Sequence, residues 1–196
     1  MEFLKKVWRY GRWVLLALVV AYIALVMYRV WAIGEEERSA ETVTAIHAQA
    51  ISRDLVLGKG LPEAPDPATN DATVEGFDTN DNGIRDDAEL TIFLWHRDSA
   101  RIRAAELQYA MAIQSMLTKV FDSNTWVAAA EEETRSYLCM GVDVRLSTEE
   151  TDRIEKLVLD TDLRREKYNE IHRKYEVSFG SSDKSNCDID LDSLPN

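Results

Sequence analysis

The chain lacks the sequence signatures of common enzymes. None of the G-x-S-x-G, H-E-x-x-H, P-loop or dinucleotide-binding motifs occurs in its 196 residues. The histidines, His47, His96 and His172, share no metal-ligand spacing, and we expect each to lie on the surface or to pack between helices. Adjacent acids at 131–133 and 149–150 point in different directions on a helix, so a solvated face is expected there. We therefore predict that the protein is not an enzyme.

Cysteine is scarce, and none lies near the N-terminus, which excludes a lipoprotein attachment site. Cys139 and Cys187 are the two that occur. Outside the cytoplasm an even count of two predicts one disulfide, Cys139–Cys187, which stabilises by roughly 4 kcal/mol on the chain-entropy model. Two buried free thiols are the alternative.

Positive charge is sparse beyond residue 33. Residues 1–33 carry five cations and one anion, whereas the remainder carries 34 acidic and 18 basic side chains. Such a surface repels nucleic acid and anionic lipid head groups and favours cations or basic partners. We therefore predict no nucleic-acid partner, although simple solubility also explains the charge.

One long apolar run is present near the N-terminus. It extends unbroken from Trp13 to Tyr28 and continues past Arg29 to Ile33. As a helix this segment exceeds about 30 Å, the thickness of a bilayer core, and the Arg29 guanidinium can reach the interface. The sequence therefore predicts a transmembrane helix at 13–33.

The charges that flank the run predict its orientation. Four basic residues precede it and three acidic residues follow it: Lys5, Lys6, Arg9, Arg12 and 35–37. The positive-inside rule then makes residues 1–12 a cytoplasmic stub and places everything after Gly34 outside the cytoplasm. A cleavable signal peptide is the competing interpretation, but residues 31–34 form a poor cleavage site, so an uncleaved signal anchor is predicted.

The rest of the chain has helical periodicity and no convincing β alternation. We predict an all-α fold in which the single N-terminal transmembrane helix precedes a mostly helical extracytoplasmic domain. The predicted segments are a juxtamembrane helix within 34–60, a Pro-rich extended connector at 61–77, a calcium loop with its helical domain at 78–180, and a polar C-terminal tail at 181–196.

Local signals place the helices of the outer part. An N-cap is expected within Asp98–Ser99 and within Asp122–Asn124, a capping box is expected at Ser147–Glu150, and Asp160–Asp162 indicates a break. The apolar positions predicted to face inward include Leu90, Phe93, Leu94, Trp126, Ala130, Tyr137 and Leu138.

Residues 78–89 have the ligand spacing of a calcium loop. Oxygen-bearing side chains stand at positions 1, 3, 5, 9 and 12, and glycine stands at position 6, where a positive φ costs little. The predicted ligand residues, with the carbonyl of position 7 included, are Asp78, Asn80, Asn82, Ile84, Asp86 and Glu89.

Two departures argue against half of a paired EF-hand. Position 8 is Arg85 rather than an aliphatic residue, and the Pro-rich segment before Asp78 is not a normal entering helix. The loop looks more like the calcium loops of thrombospondin type 3 repeats, with a weak affinity of about 10⁻⁴–10⁻³ M and a structural Ca²⁺. The alternative is a solvated acidic turn that caps a helix.

The segment Ala72–Glu89, ATVEGFDTNDNGIRDDAE, resembles a box found in a group of uncharacterised exported bacterial proteins. Their box reads G-(I/V)-D-x-(N/D)-x-(N/D)-G-(V/I)-R-D-D-(V/I)-(E/Q) after a proline-rich lead. Thr161–Arg164 with Tyr168 looks like a second segment of that group. Phe77 and Ala88 depart from the pattern and leave the ligand set intact. The resemblance implies a bacterial envelope location and calcium binding, and it transfers no activity.

These observations predict a protein of the bacterial inner (cytoplasmic) membrane, single-pass, with a periplasmic or extracellular domain. We expect a calcium-binding structural or interaction protein with a protein partner in the envelope. An envelope hydrolase that uses carboxylates from separate helices is the main alternative. A ligand-sensing ectodomain that signals through the anchor is a third.

Overall fold

The fold of the described residues is all-α, as predicted, and contains no strand. A computed structural model describes residues 1–175, 179–180 and 182–195, with the backbone alone for 2–7 and 9. Its α-helices are α1 (Glu2–Ala48), α2 (Arg53–Val56), α3 (Pro67–Asn70), α4 (Asp86–Trp95), α5 (Ala100–Lys119), α6 (Ser123–Leu138), α7 (Thr148–Val158) and α8 (Asp162–Lys174). A π-helical turn (Cys139–Val144) and a 3₁₀ turn (Leu191–Ser193) complete the set.

The chain divides into two units, Met1–Glu41 and Thr42–Asn196. The N-terminal unit lies within α1, and one segment of that helix, Tyr10–Ala48, is long and apolar enough to cross a membrane. The large apolar side chains from Tyr10 to Ile33 are exposed, which is typical of a helix that needs a lipid environment or a partner. A signal sequence has the same length and composition, so this observation supports membrane association in general.

Helix α1 continues through Gly34 without a break and ends at Ala48. The predicted juxtamembrane helix at 36–54 is therefore not a separate element. Residues 53–56 form the short helix α2 instead, which Ser52 caps by accepting a hydrogen bond from Leu55 N. The main-chain donors exposed at a helix start explain why a serine stands at this position.

Helix α5 is the centre of the C-terminal unit. Nearly its whole surface is buried, and it packs against α4, α6, α7, α8 and the π-helical turn. A helix that is covered on all sides needs small side chains where its neighbours approach, and the alanines 104, 105, 110 and 112 provide them. The site described below lies at the start of α4.

The predicted helix starts are confirmed. Ser99 caps α5, Asp122 caps α6, and Ser147 caps α7, the last two within a capping box. Thr161 caps α8 after the predicted break. Each cap joins a side-chain oxygen to a main-chain N–H three residues later, so the local sequence is sufficient to predict it.

Several predicted core positions are wrong. Tyr137 and Leu138 are 43% and 38% exposed, because the buried positions at this end of α6 belong to Cys139 and Met140 in the π-helical turn. In α4 the buried apolar residues are Ala88 and Ile92, whereas Leu94 is 59% exposed.

The predicted disulfide is confirmed: Cys139 and Cys187 are bonded, with a sulfur–sulfur distance of 1.98 Å. It fastens the C-terminal segment to the end of α6. Asp188 then accepts hydrogen bonds from Ile51 N at 3.0 Å and from Arg135 Nη2 at 2.6 Å. The polar tail is therefore part of the folded unit.

Candidate metal centre

The loop 78–89 has the backbone conformation that a tight wrap requires. Asp81 and Gly83, at positions 4 and 6, have φ values of 53° and 84°. Glycine adopts this left-handed conformation without steric cost, and Asp tolerates it better than most residues. The chain thus turns twice before α4 begins.

Asp78 organises the first half of the loop. Its Oδ1 accepts a hydrogen bond from Asn82 N at 3.0 Å, and its Oδ2 accepts one from Gly83 N at 2.8 Å. The Asn82 Oδ1 accepts from Ile84 N at 2.8 Å. Side chains at positions 1 and 5 therefore direct their oxygens into the turn.

Asp86 joins the loop to α4. Its carboxylate accepts hydrogen bonds from Thr79 N at 3.0 Å and Thr79 Oγ1 at 2.9 Å, and its own N–H donates to Phe77 O at 2.8 Å. Asp86 and Ile84 are fully buried. The first turn of α4 also holds Asp87 and Glu89, where the helix dipole favours negative charge.

Glu89 is completely buried at the inner side of the loop. Its Oε2 accepts hydrogen bonds from Asn82 Nδ2 at 2.7 Å and Asn80 Nδ2 at 3.3 Å. Its Oε1 has no hydrogen-bond partner among the described residues. A buried carboxylate oxygen without a partner costs about 1–3 kcal/mol or more, so this atom is the clearest indication of a missing positive group.

The electrostatics of the loop favour a cation. Burial raises the pKa of Glu89, and the charges of Asp86 and Asp78 raise it further. Burial also raises the pKa of Asp78, with smaller contributions from Asp86 and Asp81. No described Lys, Arg or His lies within 4.0 Å of these ligand carboxylates as an ion pair, although Lys119 acts on Asp78 through space.

The carboxylate oxygens of the loop nevertheless do not lie close enough together in this structure to form one coordination shell. Among the described residues, the trio of ligand atoms within 4.8 Å of one another is Cys139, Asp143 and Cys187. Its two sulfurs are joined in the disulfide and are not thiolates, so it is not a metal site. In the loop, the amides of Asn80 and Asn82 approach Glu89, and a half-turn of either amide exchanges its nitrogen for its oxygen.

Arg85, at position 8, makes contacts that the sequence pattern did not reveal. Its side chain is buried and donates to Val158 O and Leu157 O, both at 3.0 Å, and to Asp160 at 2.8 Å. Gly76 has a φ of 64°, and a Cβ there would collide with the Arg85 side chain. Hydrogen bonds from Arg85 therefore connect the loop directly to the junction between α7 and α8.

Arg164 extends this connection to the segment before the loop. It is fully buried and donates to the carbonyl oxygens of Asn70, Thr73 and Val74 at 2.6, 3.2 and 3.2 Å. It also pairs with Asp160 at 2.6 Å. The segment 61–77 contains helix α3 and is packed against α8, so it is not the extended connector predicted from its prolines.

The histidines and acidic runs lie outside the loop. His96 Nε2 lies 3.0 Å from Glu106 Oε1, which also accepts from Arg153 at 3.0 Å. Burial raises the pKa of Glu106 to about 7. His47 Nδ1 lies 3.0 Å from Glu132 Oε1. These are helix-packing histidines, as expected.

The prediction of a solvated face at 131–133 is wrong for Glu132. That side chain is only 6% exposed and pairs with Arg135 and Lys184, the latter at 2.7 Å. Hydrogen bonds from Lys184, His47 and Arg135 hold its pKa below the usual range despite its burial. Glu133 accepts a hydrogen bond from the Tyr168 hydroxyl.

Comparison with known proteins identifies no relative. No family model, no curated protein and no solved structure matches the chain. The geometry of the loop and the N-terminal helix are therefore the features that bear on function.

Proposed function

We propose that this protein is a membrane-anchored, calcium-binding structural or interaction protein of the bacterial envelope. The observation that carries the proposal is the buried Glu89 carboxylate, with one oxygen lacking a partner, beside Asp78 and Asp86 in a tightly wound loop. Calcium prefers carboxylate, amide and carbonyl oxygens, which are the groups this loop contains.

The residues that would hold the ion are those with the predicted spacing: Asp78, Asn80, Asn82, Ile84, Asp86 and Glu89. The ion would supply the positive charge that balances the carboxylates of the loop. Because Arg85 bonds the loop to the end of α7, a filled loop would also fix the start of α4 relative to the α7–α8 junction. The expected role of the metal is structural.

The anchor and the location are supported by two further features. Basic residues before the apolar run and acidic residues after it favour a cytoplasmic N-terminus. The Cys139–Cys187 disulfide is typical of an oxidising compartment, which lies outside the cytoplasm in bacteria. Millimolar calcium in such a compartment would keep a weak site filled.

The experiment is a thermal melt of the full chain in non-ionic detergent, with chelator and with calcium at about ten times the dissociation constant measured by calorimetry. Calcium is expected to stabilise the wild-type chain by about 1.4 kcal/mol. Asp78→Asn keeps an acceptor for the loop N–H groups but removes charge, and Asp78→Ala removes both, so both should abolish the shift.

Asp152→Ala is the matched control, because Asp152 is exposed on α7. It should keep the wild-type calcium shift. A wild-type chain whose melting point is the same in chelator and in saturating calcium would contradict the metal site. The interaction role is tested separately: cross-linking in membranes should capture a protein partner, and a clean monomer without one would argue against it.

A further inference from the structure

A second candidate site lies between helices α5, α6 and α8, away from the calcium loop. It is a cavity of about 290 Å³, at the small end of the range of ligand pockets. Its lining includes the aromatic rings of Tyr109, Trp126, Tyr137 and His172 and the carboxylate of Glu133. No Lys or Arg is among the described residues that line it.

The aromatic rings are fixed by contacts with one another. The rings of Tyr109 and Tyr137 meet edge to face with centroids 6.2 Å apart, and Trp126 and His172 do the same at 6.3 Å. Trp126 is 5% exposed, whereas Tyr137 is 43% exposed and lies toward solvent. Preorganised aromatic surfaces attract cations through the negative faces of their π systems.

The carboxylate of Glu133 is held by a hydrogen bond and forms no ion pair with the described residues. The Tyr168 hydroxyl donates to its Oε1, and no described Lys, Arg or His forms an ion pair with it. Glu155 on α7 is likewise held by a tyrosine: its Oε1 accepts a hydrogen bond from the Tyr109 hydroxyl at 2.7 Å. Burial raises the pKa of Glu133. The hydrogen bond from Tyr168 and the charge of His172 oppose this shift, and the nearby charge of Glu155 adds to it.

We propose that this cavity binds a small organic ammonium ion, with Glu133 as its counter-ion and Tyr109, Trp126 and Tyr137 as its aromatic wall. The two carboxylates leave a negative charge that a cation would offset, and the aromatic rings favour a weakly hydrated one. A calcium ion needs about six to eight oxygen ligands, which one carboxylate and aromatic faces do not supply. An anion would meet the unpaired carboxylate and be repelled.

The test is calorimetric titration of the full chain in non-ionic detergent with two probes. Choline carries the quaternary ammonium group, and 3,3-dimethylbutan-1-ol is its neutral isostere. Saturable binding of choline and at least tenfold weaker binding of the isostere are expected. Glu133→Gln, which keeps an acceptor for Tyr168, should weaken choline binding at least tenfold.

Two variants complete the design. Tyr137→Ala should weaken choline binding about two- to fivefold, because an exposed cation–π contact is modest and the exposed ring is not needed for folding. Glu149→Gln is the matched control on the exposed start of α7 and should bind choline as the wild type does. Circular dichroism melts would verify that each variant is folded.

Each outcome of the titration distinguishes a cation site from an alternative. Equal binding of choline and its isostere would show a merely apolar cavity, and unchanged choline binding by the folded Glu133→Gln variant would place the cation elsewhere. Absence of saturable choline binding to the wild-type chain would overturn the proposal. Because calcium and choline use different residues, Asp78→Ala is expected to leave choline binding unchanged, so the two proposed sites fail or succeed independently.

Discussion

Glu89 is the residue at which burial and charge conflict most clearly. Its side chain is fully buried, and Oε1 lacks a partner among the described residues. Since its pKa is raised in the fold, the cost of keeping it ionised is absent at low pH and grows as the pH rises through that pKa. At neutral pH a cation or a neutral substitute should relieve this cost.

We predict that Glu89→Gln melts at a higher temperature than the wild type in chelator at pH 8. An unpartnered buried polar group costs about 1–3 kcal/mol, and the expected gain in the free energy of unfolding is a fraction of this cost. The same variant should show no calcium shift, because it lacks the bidentate carboxylate of position 12. Glu149→Gln, an exposed control, should change neither quantity; a calcium shift of wild-type size in Glu89→Gln would contradict the ligand assignment.

Glu106 provides a second prediction at the residue scale. Burial raises its pKa to about 7 from an ordinary 4.5, while Arg153 opposes the shift and Glu150 adds to it. The folded chain therefore holds this proton to higher pH than the unfolded chain. The stability that Glu106 contributes is fully present below about pH 4.5 and is lost as the pH rises through about 7.

The expected slope from Glu106 is at most about 1.4 kcal/mol per pH unit between pH 5 and 7. Glu106→Gln removes this proton-linked term, so its stability should depend less on pH than that of the wild type over this interval. Urea unfolding in chelator at several pH values measures the effect without calcium binding. Glu166→Gln, an exposed substitution on α8, should retain the wild-type profile; identical slopes for Glu106→Gln and wild type would refute the assignment.

At the scale of elements, Arg85 and Arg164 connect segments that are far apart in sequence. Asp160, between α7 and α8, accepts hydrogen bonds from both. Arg164 also satisfies three carbonyl oxygens of the segment before the calcium loop. Arginine is suited to this role because its planar group has five donors in a fixed arrangement.

We predict that Arg164→Lys destabilises the chain by about 3 kcal/mol, since a lysine would leave buried carbonyls and Asp160 without donors. Arg165→Lys is the neighbouring control. The Arg165 side chain is 49% exposed and its ion-pair partner Asp162 is fully exposed, so its replacement should cost within about 0.5 kcal/mol. Urea unfolding of the two variants compares them directly, and equal losses would contradict the role of Arg164.

The elements also differ in how far the sequence predicted them. The starts of α5, α6 and α7 were predicted correctly, because an N-cap involves residues only three positions apart. The end of α6 was not, because the π-helical turn after it changes which side chains face the core. A cluster of prolines predicted an extended connector, whereas the buried Arg164 from later in the chain holds part of that segment against the fold.

At the scale of the whole molecule, the apolar N-terminal helix predicts where the protein is located. We predict that the full chain expressed in a bacterium remains in the membrane fraction after alkaline carbonate extraction. Its intact mass should include residues 1–33, since an uncleaved anchor is proposed. A chain that lacks residues 1–41 should be found in the soluble fraction.

The control for this prediction is a chain whose apolar run is interrupted by two arginines, for example at Leu18 and Ala21. Charges at the centre of a span oppose insertion, so this variant should leave the membrane fraction. A mature protein whose mass begins beyond the apolar run would contradict the anchor and favour a cleaved signal sequence. Membrane retention of the interrupted variant would indicate attachment through a partner.

The sequence by itself determined those features that depend on composition or on near neighbours. These are the all-α class, the apolar N-terminal helix, the helix caps and the spacing of oxygen-bearing side chains in the loop 78–89. Tertiary structure alone decided that Glu89 is buried with an unpartnered oxygen, that Arg85 and Arg164 bond to distant carbonyls, and that Glu133 lies in an aromatic cavity. The physical reason is that a buried charge takes its partners from whichever segments fold against it, and those segments are separated along the chain by dozens of residues.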